Sequence, residues 1–485
     1  MIAILIVLLP LISAGIIYLM GKHLKFGRFL FLFTAVCHSI CSVYLLLNPE
    51  AALSKWDIGK TTLLGFDPIS ALFLLITSLL FILVAIQTHF WLPAELAAEP
   101  EHAAAHGHTA AGFQKESVFR SCLLAFLAMM TLVTAARNLG ILWVALEATT
   151  LVSAPLICFR RSAGSVEAMW KYLLICSVGI AMALFGTMLL DVAASSGGHS
   201  PGLNFDKLLL TRSTFHTGWF KAAFIFAIAG YGAKMGLAPF HTWLPDAHSE
   251  APGTVSALLS GSLLNCSFLA LMRFYALAPE TLRPFCKNLM IAGGLFSLGI
   301  AAFFILRQND FKRMLAYSSV EHMGLAAILW AIGCDQGAIF HVCGHSLIKM
   351  TLFLIAGNIL LAYGTRAIPT IGGMFKDMPK TACFWLIGIL FICGMPPSPL
   401  FVTEYLLVRE AGPLLSTAVL LLLFVVFGGM TKVCLSMLMG HTGSSAPLPE
   451  PTKNAERLNL IPLVALIAVT CCGIMWLILL NNGEI

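Results

Sequence analysis

The stretch Ala233-Lys-Met-Gly-Leu-Ala-Pro-Phe-His-Thr-Trp-Leu-Pro-Asp246 ends an apolar run with a lysine and then places two prolines six residues apart. Proline removes a backbone hydrogen-bond donor and interrupts a helix. In hydrocarbon such a break is tolerated only where protein or a water-filled cavity satisfies the freed backbone groups. If its surroundings are lipid, this stretch predicts a discontinuous helix beside a polar interior, with Lys234 at the break.

The composition indicates that the surroundings are lipid. Of the 485 residues, 59% are hydrophobic and 11% are charged, and the mean hydropathy is +0.90. A soluble domain carries about 25% charged residues, so this chain is predicted to be an all-α polytopic membrane protein. The first apolar run follows no basic segment and has no clear small-residue cleavage site, so we interpret it as a retained span and not as a signal peptide.

The charged residues and the cysteines exclude other classes of protein. The net charge of +6 comes from lysines and arginines at the ends of apolar runs and not from a basic tract, so no nucleic-acid partner is expected. The 14 cysteines are scattered through apolar segments without a CxxC motif, which is typical of buried small hydrophobic residues. The chain itself is therefore expected to hold no metal, iron–sulfur or nickel–iron centre.

The apolar runs give the number of spans. A bilayer core needs about 20 apolar residues per helix, and about fourteen such runs occur. We place them at 2–20, 28–47, 69–92, 118–136, 138–159, 168–193, 218–239, 251–278, 288–307, 311–332, 335–364, 381–403, 412–439 and 459–481.

The distribution of basic residues predicts the orientation. The loops after odd-numbered spans carry more lysine and arginine than the others, for example at Arg160, Arg161, Lys376 and Lys380. The positive-inside rule therefore places both termini on the non-cytoplasmic side of a cell membrane, which is the inner membrane or the plasma membrane.

The longest polar segment is the loop 93–117, which contains His102, His106 and His108 among small residues and glutamates. A metal site is one interpretation of these histidines. Composition favours the other interpretation, which is a solvated, flexible loop.

A second stretch, Gly394-Met-Pro-Pro-Ser-Pro399, interrupts the twelfth span as Pro239 and Pro245 interrupt the seventh. Glu404 follows the second break by five residues, and Lys234 precedes the first by five. Paired interruptions of this kind indicate an inverted-repeat ion carrier. The predicted division is an N-terminal group of helices 1–3 at 1–92, the loop at 93–117, a first five-helix repeat at 118–278, a second at 288–439, and a C-terminal helix at 459–481. The helix-breaking residues are Pro239, Pro245, Pro396, Pro397 and Pro399.

Glu147 lies inside the fifth span, in Ile141-Leu-Trp-Val-Ala-Leu-Glu-Ala-Thr-Thr150. An ionised carboxylate at that depth costs about 3 kcal/mol, so it needs a partner. A structural ion pair or a protonated acid would also explain it. We favour a functional role because other ionisable groups are predicted at the same depth.

The eleventh span contains His341-Val-Cys-Gly-His345-Ser-Leu-Ile-Lys349. Steps of four residues place the three groups on one helix face, each about 6 Å from the next, a distance that one or two waters can bridge. A lone histidine on an apolar face is usually a core residue, but three aligned groups predict a proton relay. In the tenth span, His322 is a further candidate, whereas Lys312 and Arg313 are interpreted as anchors at the cytoplasmic face.

At these residues the chain resembles the antiporter-like subunits of respiratory complex I, the multisubunit sodium–proton antiporters and the membrane-bound hydrogenases. The resemblance runs from about residue 65 to 440. Within this family the chain is most similar to the component F group of hydrogenase-4. The motifs that carry the resemblance are Trp143-Val-Ala-Leu-Glu147, Ala233-Lys-Met with His241-Thr-Trp-Leu-Pro-Asp-Ala-His248, Asp310-Phe-Lys-Arg-Met-Leu-Ala-Tyr-Ser-Ser-Val-Glu-His-Met-Gly324 and Phe401-Val-Thr-Glu404.

The resemblance implies roles for individual residues. Glu147 would pair with Lys234, the central polar axis would contain His322, His345 and Lys349, and Glu404 would be the terminal group. Some relatives have a lysine in the eighth span where this chain has Asn265, and an amide cannot take up a proton at neutral pH. The middle of the path would then depend on water, on His248 or on the groups of the tenth and eleventh spans.

These roles suggest a mechanism. Burial disfavours the charged form of an amine and a nearby carboxylate favours it, so movement of Glu147 relative to Lys234 would switch the lysine between holding and releasing a proton. The released proton would travel through His322, His345 and Lys349 towards Glu404. The chain has no nucleotide-binding glycine motif, no paired cysteines for an iron–sulfur cluster and no identifiable quinone site, so electrons are expected to move in partner subunits.

The resemblance also implies partners. They are a second antiporter-like subunit, a quinone-channel-like anchoring subunit, and peripheral hydrogenase-like subunits with iron–sulfur clusters and a nickel–iron centre. Two alternatives stay open, namely a sodium–proton antiporter or carbon-uptake subunit, and a non-conducting scaffold. Histidines and lysines along the path favour H⁺ over Na⁺.

Overall fold

The computed structural model describes residues 2–21, 23–48, 50, 56–58, 61–98, 111–196, 202–440 and 458–481. Most of these residues are helical. The helices of the first part of the chain are α1 (Ile2–Leu19), α2 (Leu24–Leu47), α3 (Pro68–Ala98), α4 (Ala111–Ala135), α5 (Leu139–Ile157), α6 (Ala163–Ser195), α7 (Phe205–Thr211), α8 (Thr217–Met235), α9 (Trp243–Glu250), α10 (Gly253–Leu258) and α11 (Leu264–Ala276).

The remaining helices follow without further strands in the described residues. They are α12 (Arg283–Ile305), α13 (Phe311–Ala331), α14 (Asp335–Tyr363), α15 (Met374–Asp377), α16 (Pro379–Ile392), α17 (Pro399–Glu410), α18 (Pro413–Met439) and α19 (Leu460–Asn481). A short π-helix, Leu259–Leu263, joins α10 to α11.

The chain forms two compact units. The first contains residues 1–235 and 262–286, and the second contains residues 236–261 and 287–485. In the first unit α8 packs against α6 and α11, and α5 packs against α4 and α6. In the second unit α14 contacts α10, α13, α16, α17 and α19. The inverted repeats at 118–278 and 288–439 stay a prediction.

The helices have the composition of membrane spans. Within the described ranges, 12 helices are long and apolar enough to cross a membrane, and α16 is a shorter apolar helix. Helix α13 spans 21 residues but carries Lys312, Arg313 and Glu321, and the twelfth predicted span is divided into α16 and α17. Large apolar side chains remain exposed, such as Leu414 at 87% and Phe424 at 75%, as expected for a surface that faces lipid.

Several boundaries differ from those predicted. Helix α3 continues to Ala98 and α4 begins at Ala111, so the loop predicted at 93–117 is too long at both ends. Its histidines, His102, His106 and His108, lie outside the described residues. A two-stranded antiparallel hairpin, β1 (Trp56–Ile58) and β2 (Thr61–Leu64), was not predicted because its seven residues are too few to give an alternating pattern.

A network of side chains around the buried Arg273 connects helices of the first unit near the start of α3. Asp67 accepts a hydrogen bond from the backbone of Ser70 and caps α3. Arg137 pairs with Asp67 at 2.5 Å, and Arg273, only 4% exposed, lies 3.8 Å from the same carboxylate. Arg273 also donates to the carbonyl of Ala136 at 2.6 Å. This network joins α3 to α11 and to the end of α4.

Asp67→Asn is expected to lower the free energy of unfolding by roughly 2 kcal/mol, because hydrogen bonds to a charged group are lost while asparagine keeps the cap. Burial raises the pKa of Asp67, but Arg273, Arg137 and the hydrogen bonds from Ser70 outweigh burial and hold the pKa below 3.8. A depressed pKa stabilises the fold above the unfolded value and loses this contribution as the pH falls through the folded value. The Tm difference from wild type in detergent should therefore be constant from about pH 8 to about pH 5.

The matched control is Asp57→Asn, since Asp57 is exposed on β1. Its Tm should equal that of wild type at each pH. An equal Tm for wild type and Asp67→Asn would contradict the stabilising role of the network.

Candidate functional site

Lys234 is completely buried in the last turn of α8. Helices α8 and α6 approach closely at Gly230, where an added Cβ would meet Ala183 and the carbonyl of Gly179. The Lys234 Nζ donates a hydrogen bond to Thr150 Oγ1 on α5. It also lies 5.5 Å from the centre of the Tyr172 ring on α6. The amine is therefore held among three helices of the first unit.

Glu147 lies one helical turn before Thr150 on α5, so the two side chains share a face. Its Oε1 accepts a hydrogen bond from Ser177 Oγ at 2.7 Å, and its Oε2 is buried without a hydrogen-bond partner among the described residues. In the part of the chain that the structure describes, no ion pair joins Glu147 to Lys234. The amine instead bonds to Thr150, one turn along α5 from Glu147, a contact that the sequence did not indicate.

The neighbours of Thr150 extend this cluster. Ser153 on α5 and the Tyr172 hydroxyl on α6 are hydrogen-bonded at 2.7 Å. Asn265, predicted to replace a lysine, is 1% exposed on α11, which packs against α8. It stands two residues after the π-helix, an irregularity that is frequent at functional sites.

The second unit contains the predicted row of His341, His345 and Lys349 on α14. All three side chains are 0% exposed. His322 on α13 lies beside them, with its Nδ1 3.3 Å from His341 Nε2. Its ring centre is 5.4 Å from that of His345. The structure thus places the three histidines together.

The two bonded histidines also contact both sides of the second helix break. His322 Nε2 donates to the carbonyl of Ile392, the last residue of α16, at 2.9 Å. His341 Nδ1 lies 2.8 Å from Thr403 Oγ1 on α17. Between these helices, the peptide bond that joins Pro396 to Pro397 is cis, and Pro399 begins α17. The predicted interruption therefore lies directly against the histidines.

Lys349 does not contact an acid directly in the described residues. Its Nζ donates to the carbonyl of Leu315 and to Ser318 Oγ on α13. Both ring nitrogens of His345 and of His248 are buried without a hydrogen-bond partner in the described ranges. The His248 ring is stacked on Phe353 of α14, with ring centres 4.7 Å apart.

Glu404 is partly buried on α17, next to the second break. Its Oε1 has no hydrogen-bond partner among the residues that the structure covers. Gly394 lies against this carboxylate, and an added Cβ there would meet it. Gly394 has a positive φ of 71°, which favours glycine. At the break, the backbone of Gly394 thus lies so close to the Glu404 carboxylate that a larger residue at position 394 would displace the carboxylate.

Two side chains of the second unit form hydrogen bonds with the segment that follows the first break. After α8 ends at Met235, the Ala238–Pro239 bond is cis, and Pro245 lies within α9. The backbone N–H of Ala238 donates to Ser297 Oγ at 2.9 Å.

Lys312 forms hydrogen bonds at the other end of this segment. Its Nζ donates to the carbonyls of Ser249 and Ala251, at the end of α9. Lys312 is 0% exposed, so its interpretation as a surface anchor was wrong. Nothing in the sequence indicated this burial, because Lys312 lies next to a predicted loop.

The described residues contain no group of three or more histidine, cysteine, aspartate or glutamate side chains that could hold a metal ion. The arrangement brings together buried acids, amines and imidazoles. Such groups can hold, orient and transfer protons.

Comparison with known proteins shows which family the chain resembles. Residues 136–446 match the family described as NADH:quinone oxidoreductase/Mrp antiporter, transmembrane. The chain is 34% identical over 342 residues to a hydrogenase-4 component F homolog of Methylacidiphilum infernorum, covering 68% of this chain and 71% of that protein. It is 29% identical over 375 residues to hydrogenase-4 component B of Escherichia coli, covering 71% of this chain and 54% of that protein.

A solved structure shows the same fold. A chain of the membrane-bound sulfane sulfur reductase, an archaeal respiratory membrane complex, matches with a TM-score of 0.82 at 20% identity. The match covers 99% of this chain and 97% of that chain. The all-α polytopic fold and the antiporter-like resemblance predicted from the sequence are confirmed.

Proposed function

Because this chain belongs to the NADH:quinone oxidoreductase/Mrp antiporter family, we propose that it is the proton-translocating membrane subunit of a redox-driven complex of the hydrogenase-4 type. The relay contains Glu147, Lys234, His248, Asn265, His322, His341, His345, Lys349 and Glu404. Electrons move in partner subunits, which hold the iron–sulfur clusters and the nickel–iron centre.

One observation carries the proposal. His248, His322, His341, His345 and Lys349 are at most 1% exposed, and all lie in the second unit. Burial of so many titratable groups is costly, and stability alone does not require it. Ring nitrogens that lack protein partners are positions where water can bind and carry protons.

The first unit supplies the switch in this proposal. Lys234 is bonded to Thr150, and the Glu147 carboxylate is one turn away. A shift of α5 that brings Glu147 to the amine would favour the ammonium form, and its return would favour release. In this proposal, the end of α8 at Met235 provides a hinge beside this lysine.

The proposed partners are a second antiporter-like subunit, a quinone-channel-like anchoring subunit and peripheral hydrogenase-like subunits. We propose that both termini lie on the non-cytoplasmic side. The ion is H⁺, because protonated histidine and lysine coordinate Na⁺ poorly.

The test is ion uptake by the purified complex in liposomes, with and without its redox substrate and with and without Na⁺. The proposal predicts proton uptake that requires the redox substrate and does not require Na⁺. Sodium-dependent proton flux without an electron donor would identify an antiporter instead. Electron transfer without any ion uptake would identify a non-conducting scaffold.

Gly394→Ala is expected to reduce this proton uptake roughly tenfold, because the methyl group displaces the Glu404 carboxylate. The positive φ at position 394 also disfavours alanine by about 1 kcal/mol. Uptake and Tm should therefore both fall.

Gly364→Ala is the matched control, since Gly364 has a φ of 66° and nothing lies within 4 Å of an added Cβ. Its Tm should fall by a similar amount while proton uptake is retained. Equal uptake by the two variants would remove Glu404 from the proposed relay.

A further inference from the structure

A continuous chain of hydrogen bonds crosses the second helix break within the second unit. It runs from the Ile392 carbonyl to His322 Nε2 at 2.9 Å and from His322 Nδ1 to His341 Nε2 at 3.3 Å. It continues from His341 Nδ1 to Thr403 Oγ1 at 2.8 Å and from Thr403 Oγ1 to the Leu400 carbonyl at 2.9 Å. Both ends of the chain are carbonyl oxygens, which can only accept hydrogen bonds.

The carbonyl at the Ile392 end fixes one proton. His322 Nε2 must carry a hydrogen, because only a donor can bond to that oxygen. At the other end, the Thr403 hydroxyl has one proton and two acceptors in reach, His341 Nδ1 and the Leu400 carbonyl. The acceptor that this hydroxyl chooses determines which atom donates in each of the linked hydrogen bonds.

In the first arrangement the hydroxyl of Thr403 donates to His341 Nδ1. His341 then carries its hydrogen on Nε2 and donates to His322 Nδ1, and His322 donates to Ile392. Each imidazole holds one proton, and the pair is neutral.

In the second arrangement the hydroxyl donates to the Leu400 carbonyl, and Thr403 Oγ1 accepts from His341 Nδ1. An added proton forms the N–H bond at His341 Nδ1, while the hydroxyl keeps its own proton and turns. A single hydrogen lies between His341 Nε2 and His322 Nδ1, so the pair carries one positive charge. A second added proton would set two N–H groups against each other at 3.3 Å. When the proton leaves, this N–H bond breaks and the hydroxyl turns back.

We propose that Thr403 is a positioning residue whose hydroxyl lets the His322–His341 pair alternate between zero and one excess proton. This inference rests on the proposed function, since the relay supplies and removes that proton. The other titratable side chains that act on His322 are His345 and Lys349 on α14. Glu321 precedes His322 on α13, and Glu404 follows Thr403 on α17.

The test compares Thr403→Val with wild type in the purified complex in lipid, labelled with ¹⁵N-histidine. Valine keeps the shape of threonine but cannot accept from an N–H group at His341 Nδ1. The charged arrangement would then bury an unpaired donor. We expect acidified wild type to give a doubly protonated histidine signal from this pair. We expect Thr403→Val to lack that signal and to lower proton uptake roughly tenfold.

Two variants separate the hydroxyl from general packing. Thr403→Ser restores a hydroxyl and should recover both the signal and the uptake. Thr351→Val removes a hydroxyl that is 0% exposed on α14 and, among the described residues, bonds only to the carbonyl of Leu347 on its own helix. This variant should resemble wild type.

The outcomes distinguish this inference from the proposed function. A Thr403→Val complex that keeps the doubly protonated signal would overturn the role of Thr403, whether or not the complex translocates protons. Failure of Thr403→Ser to restore the signal would also overturn it. Absence of proton uptake in wild type would refute the proposed function, while the ¹⁵N spectra would still report on Thr403.

Discussion

Lys234→Ala and Glu147→Gln are each expected to lower redox-driven proton uptake by at least about 100-fold while the complex still assembles. In the proposed function, the amine of Lys234 takes up and releases the proton in the first unit, and the charge of Glu147 biases this exchange. Neither alanine nor glutamine can replace these roles. Uptake into liposomes should be measured at equal electron-transfer rates, with assembly checked by subunit content.

Lys234→Met is the second variant for this lysine, because methionine fills the space that alanine would leave. Replacing a buried charge by an apolar side chain of similar size is often neutral or stabilising, so the Tm should not fall. The control pair lies on the surface of α6, where Lys171 and Glu167 are bonded at 2.6 Å and both exposed. Lys171→Met and Glu167→Gln should retain full uptake, and equal uptake by Lys234→Met would refute the switch.

Lys349→Met is expected to lower proton uptake by about 100-fold without loss of stability. Lys349 is the one amine in the predicted row on α14, and it bonds to the carbonyl of Leu315 and to Ser318. Its loss removes an amine that stands one turn from His345. Uptake and Tm measured on the same preparation would show whether activity is lost while the fold is kept.

Lys376→Met is the control for this lysine, since Lys376 is exposed on α15. It removes the same charge from the same unit and should leave uptake unchanged. If Lys349→Met and Lys376→Met behave alike, Lys349 is not part of the path.

The spans and both breaks could be predicted because lipid imposes them. An apolar run of sufficient length must be helical in hydrocarbon, and a proline inside it must end or bend the helix. The predicted seventh span accordingly stops at Met235, and the twelfth stops at Ile392 and resumes at Pro399. The row on α14 could be predicted because its spacing of four is a property of one helix.

The pairings between helices could not be predicted. They depend on how each helix is rotated, and no local pattern encodes this rotation. The resemblance implied a pairing of Glu147 with Lys234, but nothing indicated that the amine bonds to Thr150. Thr403 gave no signal beyond its place next to Glu404, although it bonds to His341.

Burial near a predicted loop was also invisible in the sequence. Lys312 stands beside Arg313 and resembles a basic anchor, yet its amine bonds to the two carbonyls that end α9. The π-helix at Leu259–Leu263 breaks no pattern of apolar residues.

The most direct measurement is the protonation of Lys234 itself, in the complex labelled with ¹⁵N-lysine and reconstituted in lipid. Its nitrogen resonance can be assigned as the one missing from Lys234→Ala. We predict that both the ammonium and the neutral amine forms are present, in a ratio that changes when the redox substrate is supplied. A Lys234 that remains ammonium with and without the substrate would contradict the account.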